Sequence, residues 1–380
     1  MSPRRSLPEC RSGTISPPPT KRQKTRVDSD IEPRVSPKPQ SDVSIYSWNV
    51  NGIATFLQSN ITSWLRPSTE RLTEGVIGSE QANLRAFLKR NGWPTMVCLQ
   101  EVKINPDDQG SMRAVSKAVA KGTTDGPGYV ARFCLPSDQF NARGFGRKVY
   151  GVCSIIREDF LDQSVERVRE VSWDSEGRFL VTETKESGGS PKLAIINVYA
   201  VNGTENPYRS PVTGSVTGTR HDRKLEVHRL LRAEVRDLEA RGYGVIIAGD
   251  INIARSTLDG HPNLRTFPPQ HCVNRANFES AFFSNSMDPD DAEKDSLPSE
   301  MVRSESSAMI DTFRHLHPTE KAYTYYPRSV PFGASCDRVD MIITSSSLAE
   351  HLTEAGMLAT PADRGPSDHV PLYAKFAFPR

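Results

Sequence analysis

The stretch Gly244-Val245-Ile246-Ile247-Ala248-Gly249-Asp250-Ile251-Asn252 constrains the fold most. A short apolar run rich in β-branched residues, set off by Gly242 and broken by Gly249, reads as a buried strand. Asp250 and Asn252 emerge where it ends, and alternation places both side chains on one face. A carboxylate and a carboxamide projected together from the mouth of a sheet can take a proton from a water and fix its orientation, as hydrolysis at phosphorus requires. A strand followed by an Asx-rich turn uses the same residues, so the meaning of the string rests on the rest of the chain.

The rest of the chain repeats the arrangement. Val43 to Gly52 is an alternating strand that runs into Asn49, Asn51 and a glycine permitting a sharp exit. Met96-Val97-Cys98-Leu99-Gln100-Glu101 is an apolar strand ending in a carboxylate, and Asn197 to Gly203 ends one with Tyr199 and Asn202. Other strand-like runs are Tyr129 to Cys134, Tyr150 to Ile156 and Phe179 to Thr184, separated by Gly, Pro, Asp and Ser clusters. Asp340 precedes the apolar run Met341-Ile342-Ile343, and Asp368-His369 precedes a final strand to Phe376. Helices are predicted at about 81–89 and from Arg223 to Arg241. In the second, Val227, Leu230, Leu231, Val235 and Leu238 recur at helical spacing and Gly242 stands just past the end, so it reads as packing rather than chemistry.

A chain of 380 residues suffices for one large domain or two ordinary ones. Its formal net charge of +2, from 48 basic and 46 acidic residues, neither demands nor excludes a polyanionic partner. Nucleic-acid contact must then come from local patches. One is the loop from Asn141 to Lys148, where Arg143, Arg147 and Lys148 interleave with glycines and an aromatic; a mobile hairpin with solvated charges has the same composition. Residues 1–42 are dominated by Pro, Ser, Arg and Lys and cannot offset the entropy of ordering, so a disordered tail is expected. Its run Lys21-Arg22-Gln23-Lys24 has the density of a nuclear-import signal or a nucleic-acid-binding arm; the Arg and Ser content also suits a mitochondrial presequence, although the prolines oppose an amphipathic helix. Ser284 to Ser307 is acidic, Ser-rich and apolar-poor, and reads as a flexible insertion. The six cysteines form no CxxC pair, which suits reduced thiols in an intracellular protein. No apolar run approaches the about 20 residues a bilayer crossing needs, and the N-terminus lacks an apolar signal core, so a soluble chain with no membrane partner is expected.

Together the strand ends carry Asn49, Asn51, Glu101, Tyr199, Asn202, Asp250, Asn252, Asp340, Asp368 and His369, the inventory of a phosphodiester hydrolase. In order and wording the chain from about Val43 to Phe376 resembles the exonuclease III and abasic-endonuclease branch of the endonuclease/exonuclease/phosphatase superfamily. Seven motifs carry the resemblance: Ser47-Trp48-Asn49-Val50-Asn51-Gly52, Leu99-Gln100-Glu101-Val102-Lys103, Asn197-Val198-Tyr199, Gly249-Asp250-Ile251-Asn252, Asp311-Thr312-Phe313-Arg314, Arg338-Val339-Asp340 and Ser367-Asp368-His369.

The resemblance implies an α/β (α+β) fold, the DNase I-like four-layer αββα sandwich of two packed β-sheets flanked by helices, with residues 43–380 as the catalytic domain. It implies a Mg²⁺-dependent DNA-repair nuclease, with Mn²⁺ as a substitute ion, acting as a monomer on double-stranded DNA with abasic sites or damaged 3′ ends. Glu101 becomes the main metal ligand, helped by Asn49 or Asn51 and by Asp368. Asp250, oriented by Asn252, holds and deprotonates the water, or with Asn252 ligates a second metal. His369, paired with Asp340, stabilises charge on the phosphate oxygens, while Tyr199 and Asn202 contact the scissile phosphate. Arg143, Arg147, Lys148 and Lys103 are the expected DNA contacts. Asn51 stands where some relatives carry Asp, removing one anionic ligand. Ala322-Tyr323 and Asp337 stand where the best-known abasic endonucleases have Phe-Trp and Trp, aromatics that line the pocket for the base-free sugar. Those departures shift the expectation from abasic-site incision toward a 3′ exonuclease or 3′ phosphodiesterase. Fold alone does not set substrate, so an inositol-phosphate or sphingomyelinase-type phosphoesterase, and a nucleic-acid-binding module without catalysis, are the alternatives.

Overall fold

The computed structural model describes residues 40–57, 83–121, 126–187, 189–284 and 308–379. The predicted tail up to residue 39, the start of the helix predicted at 81–89 and nearly all of the acidic insertion lie outside the described residues.

The apolar runs form two six-stranded sheets. Across the first the order is β15 (Leu352–Met357), β16 (Leu372–Pro379), β1 (Gln40–Asn49), β2 (Met96–Gln100), β4 (Val152–Arg157) and β3 (Tyr129–Cys134). Across the second it is β12 (Ile310–Asp311), β14 (Asp340–Thr344), β10 (Gly244–Asp250), β7 (Leu193–Tyr199), β6 (Phe179–Thr184) and β5 (Val165–Glu170). Two short ribbons, β8 (Pro207–Arg209) with β9 (Val216–Thr219) and β11 (Gly260–His261) with β13 (Cys336–Asp337), complete the described strands. Alternation sorts each strand between two hydrophobic layers. Ile45, Cys98, Ile195, Ile246 and Ile342 share the core between the sheets. Tyr46, Trp48, Val97 and Leu99 face the opposite way, against helices α1 (Leu84–Arg90) and α2 (Gln109–Val119). Ile196, Val198, Val245 and Ile247 likewise pack on α3 (Arg220–Ala240) and α4 (Gln270–Phe283). Helix, sheet, sheet, helix is the four-layer sandwich.

Topology positions the site. Each six-stranded sheet has one parallel pair, β1 with β2 and β7 with β10, and every other pairing in it is antiparallel. Parallel strands deliver their carboxyl ends to one edge, where α/β proteins hold ligands. Asn49 pairs with Gln100 and Tyr199 with Asp250 at those ends, and antiparallel β14 enters at the same rim with Asp340 opposite Asp250. Behind the rim a buried amide network ties the sheets together: Gln100 Nε2 donates to Asn197 Oδ1 at 2.9 Å, Asn197 Nδ2 to Ser154 Oγ at 3.2 Å, and Ser47 Oγ to Gln100 Oε1 at 3.3 Å.

Element boundaries depart from the sequence reading for local reasons. β1 starts at Gln40 rather than Val43, because its first residues ladder onto β16, with Gln40 opposite Pro379. β4 starts at Val152 rather than Tyr150, since Tyr150 and Gly151 both hold left-handed backbone, at φ 57° and 81°. α3 starts at Arg220, where the Thr219 side chain and Asp222 cap each other's backbone amides. The five described cysteines are free, as expected, and among the described residues no helix is long and apolar enough to cross a membrane.

The glycine of the Gly-Asp string is required by close approach: a Cβ on Gly249 would stand 1.8 Å from the Val198 carbonyl oxygen on the paired strand. Gly249→Ala is expected to force the parallel pair apart and to cost about 1–3 kcal/mol or more. Thermal unfolding checks this; an unchanged midpoint would show that the strands have room to separate.

Candidate active site

The residues just past the parallel strand ends hold left-handed backbone: Asn51 at φ 49°, Glu101 at 50° and Asn252 at 56°. Non-glycine residues adopt this conformation at a cost, and such strain clusters at functional sites. Here it turns each chain back, so that side chains from both sheets converge. Asn49 Nδ2 donates to Glu101 Oε1 and to Asp250 Oδ2, each at 3.0 Å, while Asn51 Nδ2 donates to Asp368 Oδ1 at 2.9 Å. Asn252 N donates to Asp250 Oδ1 at 2.9 Å and Asn252 Nδ2 to the Ala200 carbonyl at 3.1 Å. The sequence reading offered Asn49 as a metal ligand. In the structure its side-chain amide nitrogen also donates to two carboxylates, Glu101 and Asp250.

His369 Nδ1 lies 2.7 Å from Asp340 Oδ2 in a buried pair, and Ser367 Oγ accepts from His369 N at 3.0 Å. Burial opposes charge on His369, but Asp340 outweighs it and raises the imidazolium to about 10. Asp250 is pushed up to about 7, by burial and by the facing Asp340, against the pull of His369. Burial raises the Glu101 carboxyl as well, yet Lys103, Tyr199 and Asn49 together hold it below its ordinary value. The rim therefore contains a charged histidine, a low carboxylate and a carboxylate near neutrality, a division of acid and base roles set by environment.

Glu101, Tyr199, Asn202, Asp250, Asn252, Asp368 and His369 line one cleft of about 250 Å³, while Asp340 stands behind His369 and Asn51 beside Asp368. Arg143, Arg147 and Lys148 are outside it on an exposed loop, where Arg147 pairs with Asp107 at 2.8 Å and Arg143 donates to the Gln139 carbonyl. Lys103, expected to contact DNA, instead points inward: its ammonium pairs with Glu101 Oε2 at 2.8 Å and donates to Asn51 Oδ1. The ammonium thus sits against the oxygens of Glu101 and Asn51, and Asp368 is hydrogen-bonded to the same Asn51 side chain; hard oxygen donors of this kind suit a cation. A second group, Asp250, Asp340 and His369, brings one ligand atom each within 4.8 Å, and among the described residues Asp340 Oδ1 has no hydrogen-bond partner.

Lys224 in the cleft, and the charged residues Arg178, Glu176 and Arg220 behind it, escaped the sequence reading as site residues. α3 is not packing alone: Lys224 is 2 % exposed, lines the cleft and donates Nζ to the Asn252 carbonyl at 2.8 Å. Burial lowers its ammonium to about 7, with Asp250 opposing. Its signal was a lysine on the apolar stripe, three residues before Val227 and seven before Leu231. Arg178 is buried under Tyr199, with its guanidinium 4.8 Å from that ring and Nη1 donating to the Tyr199 carbonyl at 3.2 Å. Glu176 holds Arg178 at 3.0 Å and Arg220 at 2.7 Å. The Asp311-Thr312-Phe313-Arg314 and Arg338-Val339-Asp340 motifs are one buried ion network, in which Arg338 meets Asp259 at 2.6 Å and Asp311 at 2.7 Å. That network supports the strand that carries Asp340.

The His369–Asp340 pair gives a signed pH dependence. His369 titrates near 10 in the folded chain against 6.5 unfolded, so the pair stabilises fully below about 6.5 and is lost as pH rises through 10. Lys224 has the opposite sign over about 7 to 10.5, because its folded form binds fewer protons. The metal-free wild type and His369→Gln therefore need to be compared with each other. Their stability gap is expected to be widest near pH 6 and to narrow toward pH 10; a gap independent of pH would mean that His369 is neutral.

A family model described as the Endonuclease/Exonuclease/phosphatase family matches residues 46–369. The chain is 26% identical over 355 residues to DNA-(apurinic or apyrimidinic site) endonuclease 2 of Mus musculus, and 27% over 361 residues to the protein of that name from Homo sapiens. Each match covers 87% of this chain and 59% of the relative, so the chain spans about three fifths of the length of these relatives. Among solved structures, the AP endonuclease LMAP from Leishmania major aligns with a TM-score of 0.61 at 19% identity, over 89% of this chain and 88% of that one. The Xenopus laevis APE2 catalytic domain aligns with a TM-score of 0.57 at 21% identity, over 89% and 93%. Both share the fold. The matched span runs from within β1 to the histidine paired with Asp340 and so takes in the whole rim; the chain belongs to the endonuclease/exonuclease/phosphatase family.

Proposed function

We propose that residues 43–380 form the catalytic domain of a divalent-metal-dependent nuclease, using Mg²⁺ with Mn²⁺ as a substitute, that hydrolyses phosphodiester bonds in double-stranded DNA at abasic sites or damaged 3′ ends. One observation carries this reading: Asp250, near neutrality, and His369, held charged by Asp340 behind it, line one cleft beside a cluster of hard oxygen donors. The DNA-(apurinic or apyrimidinic site) endonuclease 2 relatives support DNA over a lipid or inositol phosphate. The basic run from Lys21 to Lys24 supports a nuclear location.

Glu101, Asp368 and Asn51, through its side-chain Oδ1, are the residues that would hold the ion, with Lys103 moving aside. Bound there, it supplies Lewis-acid polarisation of the phosphate. The remaining work falls to the chain. Asp250 takes a proton from the attacking water, its two oxygens held by the Asn49 amide and the Asn252 backbone. With Nδ1 engaged by Asp340, His369 donates from its other ring nitrogen to a non-bridging phosphate oxygen as charge develops there. Tyr199, fixed by Glu101 and Arg178, contacts the same phosphate together with Asn202. The water forms one P–O bond, another breaks, and a hydroxyl end is released.

Duplexes with an internal abasic site, a recessed 3′ end and a blocked 3′ nick, incubated with Mg²⁺ and then with EDTA, test the reading directly. Cutting is expected with Mg²⁺ alone; no cutting of any duplex by folded protein would overturn it. Asp250→Asn is expected to abolish cleavage while DNA binding survives, so retained turnover would remove the base role. His369→Ala is expected to lower kcat by roughly two orders of magnitude or more, and a loss under about tenfold would displace His369 from the reaction.

A further inference from the structure

One wall of the cleft carries charge where the resemblance led to an aromatic. Asp337 is 5 % exposed and pairs with Arg265 Nη2 at 2.8 Å. Arg275 donates Nε to the Ala254 carbonyl at 2.7 Å and Nη2 to the Arg265 carbonyl at 2.8 Å, which joins the two arginines into one surface. Burial raises the Asp337 carboxyl, while Arg265 and Arg275 both act to lower it. Two permanent guanidinium charges against one carboxylate leave this wall one positive charge in excess. The Arg265 side chain is 51% exposed, free to turn toward a ligand. The wall adjoins the reacting centre: Tyr325 N donates to the Asp337 carbonyl at 2.8 Å, and the Tyr325 ring lies 5.0 Å from that of His369.

A neutral base-free sugar offers this charge no partner. A substituent with its own oxyanion offers charge-assisted, forked hydrogen bonds. We propose that Arg265 and Arg275, with Asp337 as internal counter-ion, form a subsite for a second oxyanion, a carboxylate or phosphate on the small group esterified to the scissile phosphate. The subsite makes an anionic 3′-blocking group a better ligand than a neutral one. It rests on the nuclease reading above and names the substrate feature selected by the same cleft.

The test uses nicked duplexes that differ only in the 3′ block: a phosphoglycolate, a phosphate ester of ethylene glycol as its neutral counterpart, and the same glycol ester bearing a terminal phosphate. Binding is measured in EDTA, and kcat/KM with Mg²⁺. Wild type is expected to bind at least one anionic block roughly ten- to a hundredfold more tightly than the neutral ester, and which one identifies the oxyanion. Arg265→Ala is expected to bring that ratio close to one. The double variant Arg265→Ala/Asp337→Asn restores the wall's net charge without the Arg265 guanidinium, and its ratio is also expected to stay near one; recovery of the preference would show that net charge, not the Arg265 guanidinium, selects. Equal binding of all three blocks by wild type overturns the subsite. A preference in EDTA without cleavage of any duplex retains the subsite and sinks the nuclease reading, whereas cleavage without preference does the reverse.

Discussion

Two carboxylates cannot be buried side by side without a donor between them, because each loses its water and repels the other. The Asn49 amide resolves this at the rim by donating to Glu101 and to Asp250 at once. Glu101 follows a strand of one sheet and Asp250 ends a strand of the other, so a single side chain joins the layers at the place where charge gathers. The contact works only if both parallel pairs stop at the same height. The buried Gln100–Asn197–Ser154 amides hold that height from behind, and the left-handed turns at Asn51, Glu101 and Asn252 bring the side chains over the edge.

A charge gradient across the cleft follows. At one end the Lys103 ammonium keeps Glu101 ionised; in the middle Asp250 faces Asp340 and rises toward neutrality; beside it Asp340 keeps His369 charged. Each group takes its protonation from its neighbours rather than from its residue type. The Arg265, Arg275 and Asp337 wall extends the same logic to a part of the cleft that the resemblance would leave apolar.

Much of this was legible in the residue order, and the misses have specific causes. Asp250, Glu101, Tyr199 and His369 each follow or precede a recognisable apolar run, so strand periodicity alone put them at sheet edges. Lys224 sat in plain view on a helical stripe, but a sequence does not tell whether a lysine there snorkels outward or is buried against a carbonyl. Arg265 lies in a loop without periodicity, so nothing local ties it to Asp337, 72 positions later. Lys103, which the resemblance offers as a DNA contact, has left-handed backbone at Glu101 and at Lys103 itself that brings its ammonium to Glu101, a turn that no local sequence pattern announces.

The sequence by itself determined the layers, since each buried strand is short, β-branched and bounded by glycine or polar residues, and it determined the chemical types available at the strand ends. Tertiary structure alone decided which strands lie parallel and so which ends share an edge, which carboxylates the Asn49 amide bridges, and which carboxylates face each other. The physical reason is range. Periodicity and turn chemistry act over a few residues, whereas the protonation of Asp250 depends on Asp340 and His369, groups about a hundred positions away that meet it only when both sheets have closed.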